Sequence, residues 1–147
     1  MLVIMGQKKQ IDILLVEDNP GDVRLIIEAF KDAKAPVNLV VAQDGLEATQ
    51  ILYNKDKYSN SIRPKLIILD LNLPKKSGRE VLKEVKNDPN LKSIPIIILT
   101  TSSSQGDVKE TYQNSVNAFI TKPVDLNQFI NVVNSIQDFW LNHVKLP

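Results

Sequence analysis

Five polar residues stand directly after apolar runs, and their types point to one kind of chemistry. Glu17 and Asp18 end "ILLVED", Asp70 ends "LIILD", Thr100 ends "IIILT" and Lys122 ends "FITK". A carboxylate closing an apolar run is costly unless it is paired, hydrogen-bonded or metal-bound. Three carboxylates sharing a pocket need compensating positive charge. Lys122 supplies one fixed cation, and Thr100 adds a hydroxyl. No His or Cys accompanies them, so a metal here would have oxygen ligands only. Hard oxygen ligands with room for water suit Mg²⁺. A metal, an ammonium and a hydroxyl together can hold a small dianion such as a phosphoryl group. Asp70, the central acid, can itself be the nucleophile, since carboxylates form acyl phosphates.

These residues are far apart in the chain, so the fold must gather them. Apolar runs of strand length recur at Ile11–Val16, Val37–Ala42, Leu66–Leu69, Ile94–Leu99 and Ala118–Ile120. Several are continuous rather than alternating, the pattern of strands covered on both faces. Helical spacing between them predicts helices over Asp22–Lys34, Gly45–Leu52, Gly78–Lys86, Gln105–Ser115 and Leu126–Val144. Asp44, Ser77, Ser103 or Ser104, and Asp125 are placed to cap the last four. The alternation predicts an α/β, doubly wound, five-stranded parallel sheet with right-handed crossovers. Such sheets bind ligands outside the carboxyl ends of their strands. All five polar residues fall on that edge.

Composition sets the outer bounds. A chain of 147 residues, 43% hydrophobic and 24% charged, suits one domain (residues 1–147) with an ordinary core. The net charge is +1, and no basic run exceeds Lys8-Lys9 or Lys75-Lys76, so nucleic-acid and membrane-surface binding are not indicated. With no cysteine, disulfides, thiolate metal sites and Cys nucleophiles are excluded. The opening "MLVIMGQKKQ" is too short in apolar residues for a signal-peptide core. No stretch approaches the ~20 apolar residues of a membrane span. The expectation is a soluble cytoplasmic protein.

The motifs "LLVEDNPGD", "LIILDLNLPKKSG", "IPIIILTTS" and "AFITKP" together resemble the receiver domain of two-component response regulators, over about residues 10–141. The resemblance implies a flavodoxin-like, CheY-like receiver with strand order 2-1-3-4-5. It implies that Asp70 accepts a phosphoryl group from a histidine kinase. Mg²⁺ would be held by Asp18, Asp70 and the backbone carbonyl of Asn72, with Glu17 acting through a water. Thr100 would be the switch hydroxyl, Lys122 the ion-pair partner of the phosphoryl group, and Phe119 the aromatic that moves inward with Thr100. The Lys122-Pro123 bond would be cis. The chain would not be an enzyme in the ordinary sense, though it would phosphorylate itself and slowly hydrolyse its own acyl phosphate.

Three departures stand out. Phe119 has no hydroxyl, Thr101 is bulkier than the Ala or Gly of many receivers, and Glu17 is one methylene longer than the commoner Asp. None removes a required group, which leaves a phosphorylation-independent binding module as the weaker alternative. "DNPGD", the polar insertion Tyr53–Pro64, the "TTSS" loop and "FWLNHVKLP" narrow the resemblance to stand-alone regulators paired with cyanobacterial-type phytochromes.

The last predicted helix extends to about Val144 and leaves no room for an output domain. Leu126, Phe129, Val133, Ile136 and Trp140 share one face, and Val132 and Phe139 widen it. An apolar stripe wider than a core needs suggests an interface, here a homodimer through the fourth and fifth helices with Phe139 and Trp140 as anchors. Tyr53–Pro64 is either a solvated connection or a kinase contact. His143 has no companion for metal binding or phosphotransfer. Two other chemistries fit less well. An Mg²⁺-dependent phosphohydrolase with an aspartate nucleophile needs a second acid two residues on, where Asn72 cannot protonate a leaving group. A nucleotide binder would carry a G-x-G-x-x-G turn after the first strand, and "EDNPGD" is not one.

Overall fold

The computed structural model describes residues 10–55 and 62–147. Strand β1 (Ile11–Val16) leads into helix α1 (Pro20–Lys31), then β2 (Val37–Ala42), α2 (Gly45–Leu52), β3 (Leu66–Leu69) and α3 (Gly78–Asn87). There follow β4 (Ile96–Thr100), α4 (Gln105–Gln113), β5 (Ala118–Thr121), α5 (Leu126–Asp138) and a π-helical turn (Phe139–His143). The five strands form one parallel sheet in the order β2-β1-β3-β4-β5. This is the expected architecture and order. Residues 56–61 of the polar insertion Tyr53–Pro64 lie outside the described residues.

The continuous apolar runs have a direct cause. Every residue of β3 and β4 is buried. Leu14, Val16, Ile67, Leu69, Ile96 and Ile98 point to one side of the sheet, where α2 and α3 cover them. Ile13, Leu15, Leu66, Ile68, Ile97 and Leu99 point to the other, against α1 and α5. With both faces covered there is no solvent side to demand polar alternation. Helix α4 differs from the rest, because Thr111 is its one buried residue.

Each helix starts on a side-chain cap, worth about 1 kcal/mol apiece. Asn19 accepts from the amide of Asp22, Asp44 from Glu47, Ser77 from Glu80, Ser104 from Asp107 and Asp125 from Gln128. Several element ends depart from expectation, with α1 stopping at Lys31 rather than Lys34 and α4 at Gln113 rather than Ser115. Helix α1 begins two residues early, since Pro20 at its first position and Asn19 before it form a regular start. Strand β4 begins at Ile96 rather than Ile94, because Pro95 has no amide to give the ladder. The last helix does not run unbroken to Val144 but passes into the π-helical turn after Asp138.

Two glycines let the loop between β3 and α3 fold tightly. A Cβ on Gly78 would lie 2.0 Å from the backbone oxygen of Asp70, and one on Gly45 would lie 2.0 Å from that of Lys76. Helix α3 thus starts against the very peptide that carries Asp70. A Cβ on Gly106, at the start of α4, would meet Ser104 Oγ at an ordinary 4.0 Å. Gly78→Ala is expected to destabilise the protein by about 3 kcal/mol, since backbone must move to admit the methyl. Gly106→Ala should instead be neutral or stabilising by roughly 0.5 kcal/mol. Urea unfolding midpoints of the two variants check the contrast.

Candidate functional site: an acidic pocket at the carboxyl edge of the sheet

The strand register sets the site. Val16 is level with Leu69, Leu69 with Ile98, and Thr100 with Thr121. The ladder continues past the strand ends, with the Asp70 amide donating to Val16 at 3.1 Å and the Lys122 amide to Thr100 at 2.6 Å. Residues from four strands therefore leave the sheet at one place.

Glu17, Asp70 and Lys122 are buried there. The Lys122 ammonium donates to Glu17 Oε1 at 2.5 Å, Asp22 Oδ2 at 2.9 Å and Asp70 Oδ2 at 3.2 Å. The second oxygens are also engaged. Glu17 Oε2 accepts from the Asn19 amide at 3.1 Å, and Asp70 Oδ1 accepts from the Asn72 amide at 3.2 Å. Carboxylate oxygens of Glu17, Asp18 and Asp70 all lie within 4.8 Å of one another, with Asp18 at the exposed side. Four acids face a single ammonium, which leaves the pocket short of positive charge.

The pocket shifts the titration of Glu17. Burial is the largest cause and, with the nearby Asp70 charge, pushes its pKa up to about 7 against the pull of Lys122. For Lys122, burial opposes the charge, but the hydrogen bonds to Glu17 and Asp22 and the charges of Glu17 and Asp70 outweigh it, so its pKa is raised.

The sequence-predicted residues fare differently. Glu17, Asp18, Asp70 and Lys122 come together as expected, with the Asn72 backbone beside them. Thr100 is fully buried, and its hydroxyl accepts from the Ser102 amide at 3.4 Å rather than bonding a carboxylate. Phe119 is half-buried against the core on the α2–α3 face. The expected cis bond at Lys122-Pro123 is not found, as no peptide bond among the described residues is cis. Trans is the lower-energy isomer even before proline, by about 0.5–1 kcal/mol, and Lys122 reaches all three carboxylates from it. Phe139 and Trp140 lie away from the pocket, with their rings edge to face at 5.8 Å.

Two features were missed from sequence. Asp22 joins the pocket from the first turn of α1, and its position close behind Glu17-Asp18 was the available signal. Arg79 of α3 grips Asp107 of α4 with two hydrogen bonds, at 3.0 and 2.7 Å. No sequence pattern announces that pair.

The sequence pattern of the response regulator receiver domain matches residues 13–134. The chain belongs to this family. It is 47% identical over 135 residues to the response regulator Rcp1 of Synechocystis sp., covering 92% of each protein. The Mn²⁺-bound crystal structure of Rcp1 matches with a TM-score of 0.91, over 92% of this chain and 98% of that one. The phosphorylated cyanobacterial phytochrome response regulator RcpA matches with a TM-score of 0.92 and 47% identity, over 95% and 99% of the two chains. The receiver is thus a two-component signalling protein similar to cyanobacterial phytochrome regulators. No helix among its described residues is long and apolar enough to cross a membrane.

The pocket's own chemistry fits a divalent cation. Its donors are hard oxygens, they converge within one ion's reach, and the exposed Asp18 leaves room for water ligands. Such an ion would make up the missing positive charge. A proton on Glu17 competes with it, so cation affinity is expected to rise between about pH 5 and pH 8 and to flatten in Glu17→Gln. Without the cation the slope of stability is opposite. Glu17 holds its proton more tightly folded than at its ordinary 4.5, so stability falls as pH rises from there to about 7. Calorimetric titration with Mn²⁺ and urea midpoints in chelator, each across this range, check both signs.

Proposed function

We propose that this receiver takes a phosphoryl group on Asp70 from the phosphohistidine of a sensor kinase, in an Mg²⁺-dependent reaction, and passes the change to the α4–β5–α5 surface. The observation that carries this is the state of Asp70. It is a buried carboxylate held by an ammonium and a backbone amide, beside the buried Glu17 and the exposed Asp18. One Asp70 oxygen attacks phosphorus, the P–N bond breaks, and the departing imidazole keeps the electron pair and takes a proton. Asp18, Asp70 and the Asn72 backbone would hold Mg²⁺, with Glu17 behind a water, and the ion would offset the charge of the phosphoryl oxygens. Lys122 is already within reach of Asp70 and can turn its charge to the new group. Thr100, released from the Ser102 amide, can donate its hydroxyl there, with Phe119 moving in behind. Hydrolysis by water then resets the domain, as slow autophosphatase activity.

The likeness to phytochrome regulators supports a phytochrome-type kinase as donor, in the cytoplasm. A homodimer is part of the same reading. An apolar groove of about 490 Å³ runs between the edge strand β5 and α5, lined by Ala118, Ile120, Val132, Ile136, Phe139 and Trp140. Phe139 is 54% exposed there, as suits a residue awaiting a partner. A hydrolase acting on external substrates gains no support, because Asn72 offers no proton to a leaving group.

Incubation with acetyl phosphate and Mg²⁺, read by intact mass, tests the chemistry. One phosphoryl adduct is expected on the natural chain and none on Asp70→Asn or after chelation. No adduct on the folded natural chain would leave a binding-only receiver. Light scattering before and after that incubation tests the dimer, with Trp140→Ala expected to weaken it; a monomer mass under both conditions would remove the dimer from the reading.

A further inference from the structure

Helix α4 is attached to the molecule in an unusual way. Its one buried residue is Thr111, and its largest apolar side chain, Tyr112, is exposed. What fastens its first turn is polar. Arg79 Nε and Nη2 donate to the two oxygens of Asp107 at 3.0 and 2.7 Å, a bidentate grip across from α3. Asp107 Oδ2 also accepts from the Ser102 hydroxyl at 2.5 Å, and the Asp107 amide donates to Ser104 Oγ at 3.0 Å. These bonds hold the Asp107 carboxyl below its usual pKa, the Ser102 hydroxyl first and the guanidinium next.

The same loop reaches the pocket. The Ser102 amide donates to the Thr100 hydroxyl, and the Ser102 carbonyl accepts from Thr121 Oγ1 at 3.3 Å. Gly78, next to Arg79, sits against the backbone of Asp70. A continuous path of contacts, here called the circuit, therefore runs from the Asp70 peptide through Gly78, Arg79, Asp107 and Ser102 to Thr100. Any motion of Thr100 that draws Ser102 with it strains the Ser102–Asp107–Arg79 bonds. An element with few buried apolar contacts and a polar fastening is the one that moves at least cost.

We propose that Arg79, Asp107 and Ser102 form a latch that holds the loop between β4 and α4, and with it Thr100, in the arrangement seen here. Arg79 is a positioning residue, acting on Thr100 through Asp107 and Ser102. This rests on the reading of Asp70 as phosphoacceptor, in that opening the latch lets Thr100 turn to the phosphoryl group. The latch then sets how much of the population is already switched before any phosphoryl arrives.

The test compares Arg79→Gln and Arg79→Lys with Lys83→Gln. The last removes a second α3–α4 ion pair, Lys83 to Glu110 at 3.8 Å, which lies outside the circuit. Two readouts are taken on the full chain: hydrogen exchange of the Ser102 amide by NMR with no phosphoryl mimic, and affinity for beryllofluoride with Mg²⁺. Arg79→Gln is expected to speed Ser102 exchange and to raise beryllofluoride affinity about fivefold. Arg79→Lys, which keeps the charge and loses the fork, should fall between, and Lys83→Gln should change neither. Ser102 exchange in Arg79→Gln equal to that of the natural chain would overturn the latch. If beryllofluoride fails to bind the natural chain, the reading of Asp70 is overturned instead, and the exchange rates alone judge the latch.

Discussion

The ammonium of Lys122 is the contact on which the pocket depends. Two carboxylates, Glu17 and Asp70, are almost wholly withdrawn from water beside it. Removing one partner from a buried charge cluster costs several kcal/mol, because the remaining charge is left without water or counter-ion. Lys122 is held in place by the sheet, since its own amide continues the β4–β5 ladder. One cation among four acids is enough to permit burial and too little to neutralise it. The deficit makes the pocket receptive both to a divalent ion and to the oxygens that such an ion can carry.

Around this point the molecule divides into a stiff part and a loose one. Strands β1, β3 and β4 are buried on both faces, and α1, α2, α3 and α5 each bury an apolar stripe against them. Close-packed cores of this kind resist gradual deformation. Helix α4 lacks such a stripe, and it lies beside the edge strand β5 and the Thr100 loop. The parts that hold the pocket charges in register are thus separate from the helix with the least buried apolar surface. The groove between β5 and α5 lies on the same edge strand that α4 contacts.

Much of this was legible in the chain, and the reasons are physical. Strands covered on both faces write themselves as unbroken runs such as "LIIL", and polar residues directly after them must lie at one edge of a parallel sheet. Four of the five pocket groups anticipated from that pattern came together. Asp44, Ser77, Ser104 and Asp125 were recognisable as caps because their types serve little else before an apolar periodicity. Asp22 escaped notice because it sits within a helix, where an acid in the first turn is already accounted for by the helix dipole. The Arg79–Asp107 pair escaped because it joins two helices 28 positions apart through side-chain geometry alone. At Pro123 the sequence permits both isomers, and family resemblance pointed to the one the structure does not adopt. The π-helical turn at Phe139–His143 had no local signal, since its residues continue the helical periodicity of α5.

Lys122 lies 105 positions after Glu17 and 52 after Asp70. A ribosome making this chain delivers the acids first and their counter-charge later. Until β5 takes its place at the sheet edge, the half-made domain holds mutually repelling carboxylates with no ammonium among them. Completion of the fold and completion of the pocket are therefore one event. A copy in which β5 has not joined the sheet edge lacks the ammonium that the buried acids share, so the pocket exists only in the fully folded domain.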